Sequence, residues 1–301
     1  MTNQQTYPRV SVFPRISRTR LLRDAIARIL MFVAFAAALV PLVWVLVVAI
    51  TKGAAAVTSS TWWTHSLKGV LPEQFTGGVY HAIYGTLVQA LIAAVIAVPI
   101  GILVAIYLVE YGRGRFARVT TFMVDVLAGI PSIVAALFVF ALWITTLGLP
   151  QSALAVAIAL GLLMLPVVIR STEEMLRLVP LETREASYAL GVAKWTTILR
   201  VVVPAAASGI TSGVLLAVAR VMGETAPVLV LVGYSRALNY NIFDGNMASL
   251  PLLIYSELIN PLPAGQFRAW GAALTLIILN AGLNIAASLV ARFLTRKHAQ
   301  R

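Results

Sequence analysis

The chain has 301 residues, of which 60% are hydrophobic and 11% charged, with a net charge of +12 and no cysteine. Soluble domains run near 45–50% and about 25%, so a water-soluble globular protein is excluded, as are disulfides and thiolate metal sites. What remains is an all-α polytopic membrane protein.

A transmembrane helix needs about 20 mostly apolar residues, and six stretches qualify: 30–50, 84–108, 120–146, 152–169, 205–233 and 269–293. The first lies too far from the N-terminus to be a cleaved leader. Residues 1–29 read as a basic cytoplasmic tail, 51–83 as an extracytoplasmic loop, 84–293 as a five-helix core and 294–301 as a second basic tail. Placing the N-terminus inside puts eighteen of the 23 Lys and Arg residues on the inner side, in the two tails and in clusters at Arg113–Arg118 and Arg170–Arg200. Only Lys52, Lys68, Arg236 and Arg268 fall outside, and Arg220 lies within a span. By the positive-inside rule both termini are cytoplasmic. The positive charge is an orientation signal on a chain bathed in lipid bilayer, not a footprint for nucleic acid.

Within the first outer loop and the core, "EYGRGRF" at 110–116 reads as a short basic turn, and "LPLLIYSELI" in the outer loop 234–268 as a short interfacial helix. His65, His81 and His298 are scattered and read as solvated side chains rather than metal ligands. Pro99, Pro131 and Pro166 are expected to kink their spans, as suits helices around a changing cavity. Gly209 and Gly213 form a GxxxG pattern that predicts a close helix contact. No phosphate-binding Gly-x-x-x-x-Gly-Lys-Ser/Thr loop is present, nor any grouping of nucleophile and base.

The inner loop between the fourth and fifth spans is long and patterned. Thr183 is the expected N-cap of a short helix through "REASYALG", with Gly191 as its C-terminal stop. Small residues at Ala186, Ser187 and Ala189 would let another surface come close. "AKWTTILRVVVP" then predicts a second amphipathic helix ending at Pro204. The pattern alone fits either a partner's dock or an ordinary surface hairpin.

Glu185, Ala186, Ser187, Gly191, Val201, Val203 and Pro204 fall at the spacing of the EAA loop, and the chain thereby resembles the permease subunits of ABC importers. It departs from that pattern in Ser187, which stands for the second alanine, and in two valines. Together with "GIPSIVAALF" (129–138), "LPVVIRSTEEMLRLVPLETREASYALG" (165–191) and "ARVMGETAP" (219–227), the likeness narrows to the permease subunits of phosphate-specific importers. The resemblance implies a type I (MetI-like) fold in the bacterial inner membrane. It also implies a loop at 182–204 docked on an ATPase subunit dimer that binds ATP and Mg, a second permease subunit, and an extracytoplasmic phosphate-binding protein. The chain itself would need no cofactor and would be no enzyme.

Arg220 and Glu224 are the charges that the apolar pattern does not explain. Arg220 lies about 17 Å beyond Gly209 at 1.5 Å per residue, near the bilayer midplane. An arginine there costs about 2.5–3.5 kcal/mol on insertion scales and marks a pathway by default. Its planar fork matches phosphate oxygens. In a helix bent at Gly223 and Pro227, Glu224 shares its face. Glu224 then orients Arg220, takes the proton of hydrogen phosphate, or neutralises Arg220 as a structural ion pair. Arg170, ending the fourth span, is explained by the positive-inside rule, and the resemblance adds a part in the pathway and its gating; Asp125 reads as an interfacial packing residue or a pathway carboxylate. An importer of molybdate, sulfate or phosphonate is the nearest alternative. A secondary anion carrier or channel is the alternative from another class, and the EAA-type loop speaks against it.

Overall fold

In hydrocarbon every backbone polar group must be satisfied within the chain, which leaves long apolar stretches only the helix or the closed barrel. The structure, a computed structural model, describes residues 17–299, with side chains through residue 289, and all its regular elements are helical. Expectations for residues 1–16 and for the side chain of His298 lie outside the described residues. The chain divides into two units at Val48. The first contains most of α1 (Arg18–Val57), whose apolar side chains from Leu21 to Val47 are exposed as on a lipid-facing helix. The helix starts at Arg18 rather than at residue 30, so the second half of the expected tail is helical. Its sequence, RTRLLRDAIARIL, holds good helix formers and no Gly or Pro to stop it.

The second unit starts at Ala49. Its outer segment is no open loop: α1 continues to Val57, α2 (Ser60–Thr64) follows, and Trp62 and Leu67 are buried. The Trp62 indole N–H donates to Thr275 Oγ1 at 2.9 Å. α3 (Tyr80–Tyr111) then packs along α6 (Ala153–Arg177) through small residues: Ala90, Ala93 and Ala97 on one side, Ala157 and Gly161 on the other. Small side chains let the backbones approach, so dispersion contacts replace the hydrophobic driving force that lipid removes. His81, in the first turn of α3, is 1% exposed, which corrects the expectation of a solvated side chain; His65 is exposed.

The third apolar stretch is not one straight span. α4 (Gly114–Gly129) and α5 (Ser132–Thr146) meet at a bend of 104°. Pro131 is the residue before α5, where its missing N–H costs nothing and its carbonyl accepts from Val134 and Ala135. Counting this pair as one, the chain has six candidate spans; counting it otherwise, five.

α8 (Lys194–Met222) lies antiparallel to α6. A Cβ on Gly209 would fall 2.2 Å from Met175 Sδ, and one on Gly213 2.5 Å from Ser171 Oγ. The GxxxG pair is therefore the seam of this contact. After α9 (Ala226–Leu231) the chain folds back over α3: a Cβ on Gly85 would sit 1.8 Å from the Ala248 carbonyl oxygen. α10 (Leu250–Leu258) is capped by Ser249 and fastened by its Leu250 N–H to Thr86 Oγ1 at 2.8 Å. Its first turn is buried, so it is a core helix and not only an interfacial one. α11 (Pro263–Ala299) closes the order and runs on beyond residue 293 without a break. A buried ion pair ties its start to α10: Arg268 meets Glu257 at 3.0 Å, both 2% exposed, while also donating to the Gln74 and Pro72 carbonyls.

Candidate anion pathway and coupling element

The seam between α6 and α8 fixes the depth of Arg220. The antiparallel pairing that sets Gly209 on Met175 and Gly213 on Ser171 continues to set Arg220 level with Met164, about halfway along α6. Two residues further α8 ends. The Gly223 N–H bonds to the Arg220 carbonyl at 3.1 Å and the Glu224 N–H to that of Val221 at 3.2 Å, closing a tight final turn. α9 then starts anew with Pro227 in its first turn, where proline is tolerated. The expected continuous span 205–233 is thus two helices with irregular backbone at 223–225. At mid-depth such backbone is tolerated only where protein buries it or a water-filled cavity meets it.

This break separates the two charges that sequence spacing puts on one face. Arg220 lines a cavity of about 230 Å³ with Leu127, Ala128, Ile130, Pro166 and Arg170. Glu224 instead lines a narrow cleft with Thr86, Gln89 and Ser249. Among the described residues Arg220 makes no ion pair, so of the roles open to Glu224 the i,i+4 neutralisation does not form. The structure brings Arg220 to Arg170, not to Glu224.

Arg170 is already compensated. Its guanidinium bonds to Asp125 on α4 and, at 2.8 Å, to Glu173, whose other oxygen takes Arg177 at 2.6 Å. Asp125 is therefore an ion-pair partner joining α4 to α6 rather than a packing residue alone. Glu173 went unmarked in the sequence, although its i,i+3 and i,i+4 spacings to Arg170 and Arg177 are readable there. The cavity thus offers one guanidinium with uncommitted donors beside one held by carboxylates. Arg220 is exposed in the chain alone, so its fork is open to an anion entering the cavity. The cavity also lies between two helix breaks, since Ile130 is the last residue before Pro131.

The 182–204 segment forms a hairpin. Its first limb, α7 (Leu181–Ala189), begins after Pro180, two residues before Thr183, which makes no cap bond; this corrects the expected N-cap. Proline fixes the entry dihedral without needing a donor. The limb stops at Gly191, whose φ of +78° suits only glycine at no cost. The Gly191 N–H bonds to the Tyr188 carbonyl at 2.9 Å and that of Val192 to the Ser187 carbonyl at 3.3 Å, satisfying the last turn's acceptors. Ser187 does not face outward: it is buried, and its hydroxyl meets Thr197 on the second limb at 2.8 Å. The serine that departs from the EAA pattern thereby pins the two limbs together.

The second limb does not end at Pro204. A π-helical turn at Ile198–Val202 precedes it and α8 runs on through the proline. Wider i→i+5 bonding lets the carbonyls before Pro204 do without its missing N–H. Glu185 and Ala186 are exposed, as are the large apolar side chains Leu181, Leu190 and Trp195. Exposed apolar residues gathered on one short polar-edged element mark a protein contact.

A helical membrane subunit with such a hairpin offers a contact surface to another chain. Residues 97–298 match the family described as binding-protein-dependent transport system inner membrane component, and the chain belongs to that family. It is a multi-pass inner-membrane permease component and not the ATPase. Phosphate transport system permease protein PstA 1 of Mycobacterium tuberculosis (strain ATCC 25618 / H37Rv) is 66% identical over 286 residues, covering 95% of this chain and 93% of that one. PstA of Haemophilus influenzae is 39% identical over 245 residues, 81% of this chain and 85% of its own. Among solved structures, a bacterial alginate ABC transporter in complex with its pentasaccharide-bound periplasmic protein superposes with a TM-score of 0.60 at 13% identity, over 93% and 96% of the two chains. The inward-facing MetNI methionine transporter gives 0.58 at 19% identity, over 72% and 94%. At those identities the likeness is one of fold: an ABC importer permease.

Proposed function

We propose that this chain is the permease subunit of an ATP-driven importer of inorganic phosphate, and that the Arg220 cavity is part of the route. The observation that carries the route is an arginine at mid-depth with no ion pair among the described residues, beside a break in its helix. Kinship to phosphate permeases at 66% identity supports the substrate. Glu224, in its separate cleft, is assigned to the pathway's other wall. The complete transporter adds a second, PstC-like permease subunit, a PstB-like ATPase subunit dimer and a PstS-like phosphate-binding protein outside. Both termini lie in the cytoplasm. ATP binding closes the ATPase dimer, displaces the 182–204 hairpin docked on it, and switches the cavity between outer and inner access. Gly191 and Pro204 shape that hairpin; Gly209 and Gly213 keep α6 and α8 close enough to move together.

Uptake of radiolabelled phosphate into sealed vesicles holding the complete transporter tests this reading. Uptake should require ATP and survive excess sulfate or molybdate. Uptake without ATP would instead assign a secondary carrier, and competition by sulfate or molybdate another oxyanion importer.

A further inference from the structure

Glu110 ends α3, and both limbs of the hairpin hold it. From the first limb the Arg184 guanidinium puts Nε and Nη2 on Glu110 Oε1, at 3.2 and 3.1 Å. From the second, the Lys194 ammonium bonds to the Glu110 carbonyl oxygen and lies 4.5 Å from the centre of the Tyr111 ring. The Glu110 carboxylate is 6% exposed and the Arg184 side chain 12%. Arg184 spends its remaining donors on the end of α6, giving Nη1 to the Val179 carbonyl at 2.6 Å and Nη2 to that of Leu176 at 2.8 Å. The last turn of α3 that carries Glu110 is π-helical, a form that recurs at functional sites.

These contacts have an uneven chemistry. A buried carboxylate needs a charged partner, and Arg184 also donates to the Leu176 and Val179 carbonyls at and just beyond the end of α6. A planar fork locks direction as well as distance. The Ser187–Thr197 bond holds the limbs to each other, so the hairpin grips Glu110 as one body.

We propose that Glu110 is the point at which displacement of the hairpin enters the membrane helices, a proposal that rests on the hairpin being the ATPase dock. Arg184 and Lys194 are positioning residues: they touch neither ATP nor phosphate, and they make α3 and the end of α6 follow the hairpin. Releasing the grip lets the hairpin move with the ATPase while the spans stay behind. ATP is then hydrolysed without transport.

The complete transporter in proteoliposomes decides this, with ATP hydrolysis and uptake of radiolabelled phosphate measured on the same vesicles. Glu110→Gln and, separately, Lys194→Met should keep hydrolysis near wild type while phosphate moved per ATP falls about tenfold, within the range of ordinary coupling energies. Lys194→Arg keeps the donor and should restore the ratio. An unchanged ratio in assembled Glu110→Gln and Lys194→Met complexes, whether both rates stay or fall together, overturns the proposal. Lys194 is exposed, so its variant decides alone if Glu110→Gln fails to assemble. Gly191→Trp separates the underlying reading: full uptake with the ATPase still bound defeats the dock itself. Loss of the ATPase there, with coupling intact in the Glu110 and Lys194 variants, defeats the grip alone.

Discussion

Arg220→Gln removes a guanidinium of the cavity that no carboxylate among the described residues holds, while keeping a polar side chain of similar reach. A hydrogen bond to a charged partner is worth about 1.5–3 kcal/mol net, against about 0.5–1.5 kcal/mol for a neutral one. A fork giving two such bonds to one phosphate therefore loses about 2–3 kcal/mol, or about 30- to 150-fold in uptake at subsaturating phosphate. Lysine keeps the charge without the fork, so Arg220→Lys should cost less, about 1 kcal/mol or fivefold. Assembly moves the other way. Taking an uncompensated charge from mid-depth relieves an insertion cost of about 2.5–3.5 kcal/mol, so the Gln complex should form at least as well as wild type. The structure also makes a forecast for the double variant. Since Glu224 lines another cleft, adding Glu224→Gln should recover nothing. The assay is phosphate uptake in proteoliposomes normalised to assembled complex. Near-normal uptake by Arg220→Gln, or recovery in the double variant, refutes the pathway role.

Three further outcomes follow from the fold. Cysteines introduced at Ser60 and Asn241, both exposed, should react with an impermeant maleimide from outside, and one at Thr183 only after the membrane is opened; external labelling of Thr183 would invert the topology. Gly213→Leu forces a side chain into Ser171 across the α6–α8 seam and should lower stability by about 1–3 kcal/mol, read as an earlier thermal transition in detergent; an unchanged transition would show that the seam yields freely. Glu257→Leu strands the buried Arg268 charge and should cost about 3–5 kcal/mol, while adding Arg268→Met should return part of it; a Glu257→Leu protein as stable as wild type would remove the outer ion pair from the fold's supports.

Periodicity and length found the spans because lipid enforces both, and glycine spacing found the α6–α8 seam because only a missing Cβ fits against Met175 and Ser171. Gly191 was legible for the same reason: its left-handed φ admits little else. What sequence spacing misplaced depended on a helix continuing. Counting four residues from Arg220 to Glu224 presumes an unbroken turn, and Gly223 ends it. Counting Pro204 as a stop presumes α-helical bonding, and a π turn carries the chain past it. The Glu110 grip was hidden more deeply, because Arg184 and Lys194 lie 74 and 84 residues away along the chain. In the sequence they merge into the positive-inside count. One signal was there: Glu110 is an acid at the very end of a span, beside a run of arginines that orientation alone explains.

The bend at Ile130 and Pro131 bears on the arithmetic of sidedness. At 1.5 Å per residue the two arms are about 24 and 22 Å long, each too short for a hydrocarbon core of about 30 Å. Meeting at a bend of 104°, they reach about 28 Å from tip to tip, close to that thickness, so they traverse only as a chevron with both arms steeply inclined. Every residue after it inherits the parity of that traverse. Were the chevron to return to the face it left, the hairpin with its grip on Glu110 would need Arg184 and Glu110 on opposite faces of the membrane. They are 3.1 Å apart. With α6 crossing once, this ion pair counts the bent pair as a single crossing, and on the sidedness proposed above the elbow is where the orientation of every later helix is set.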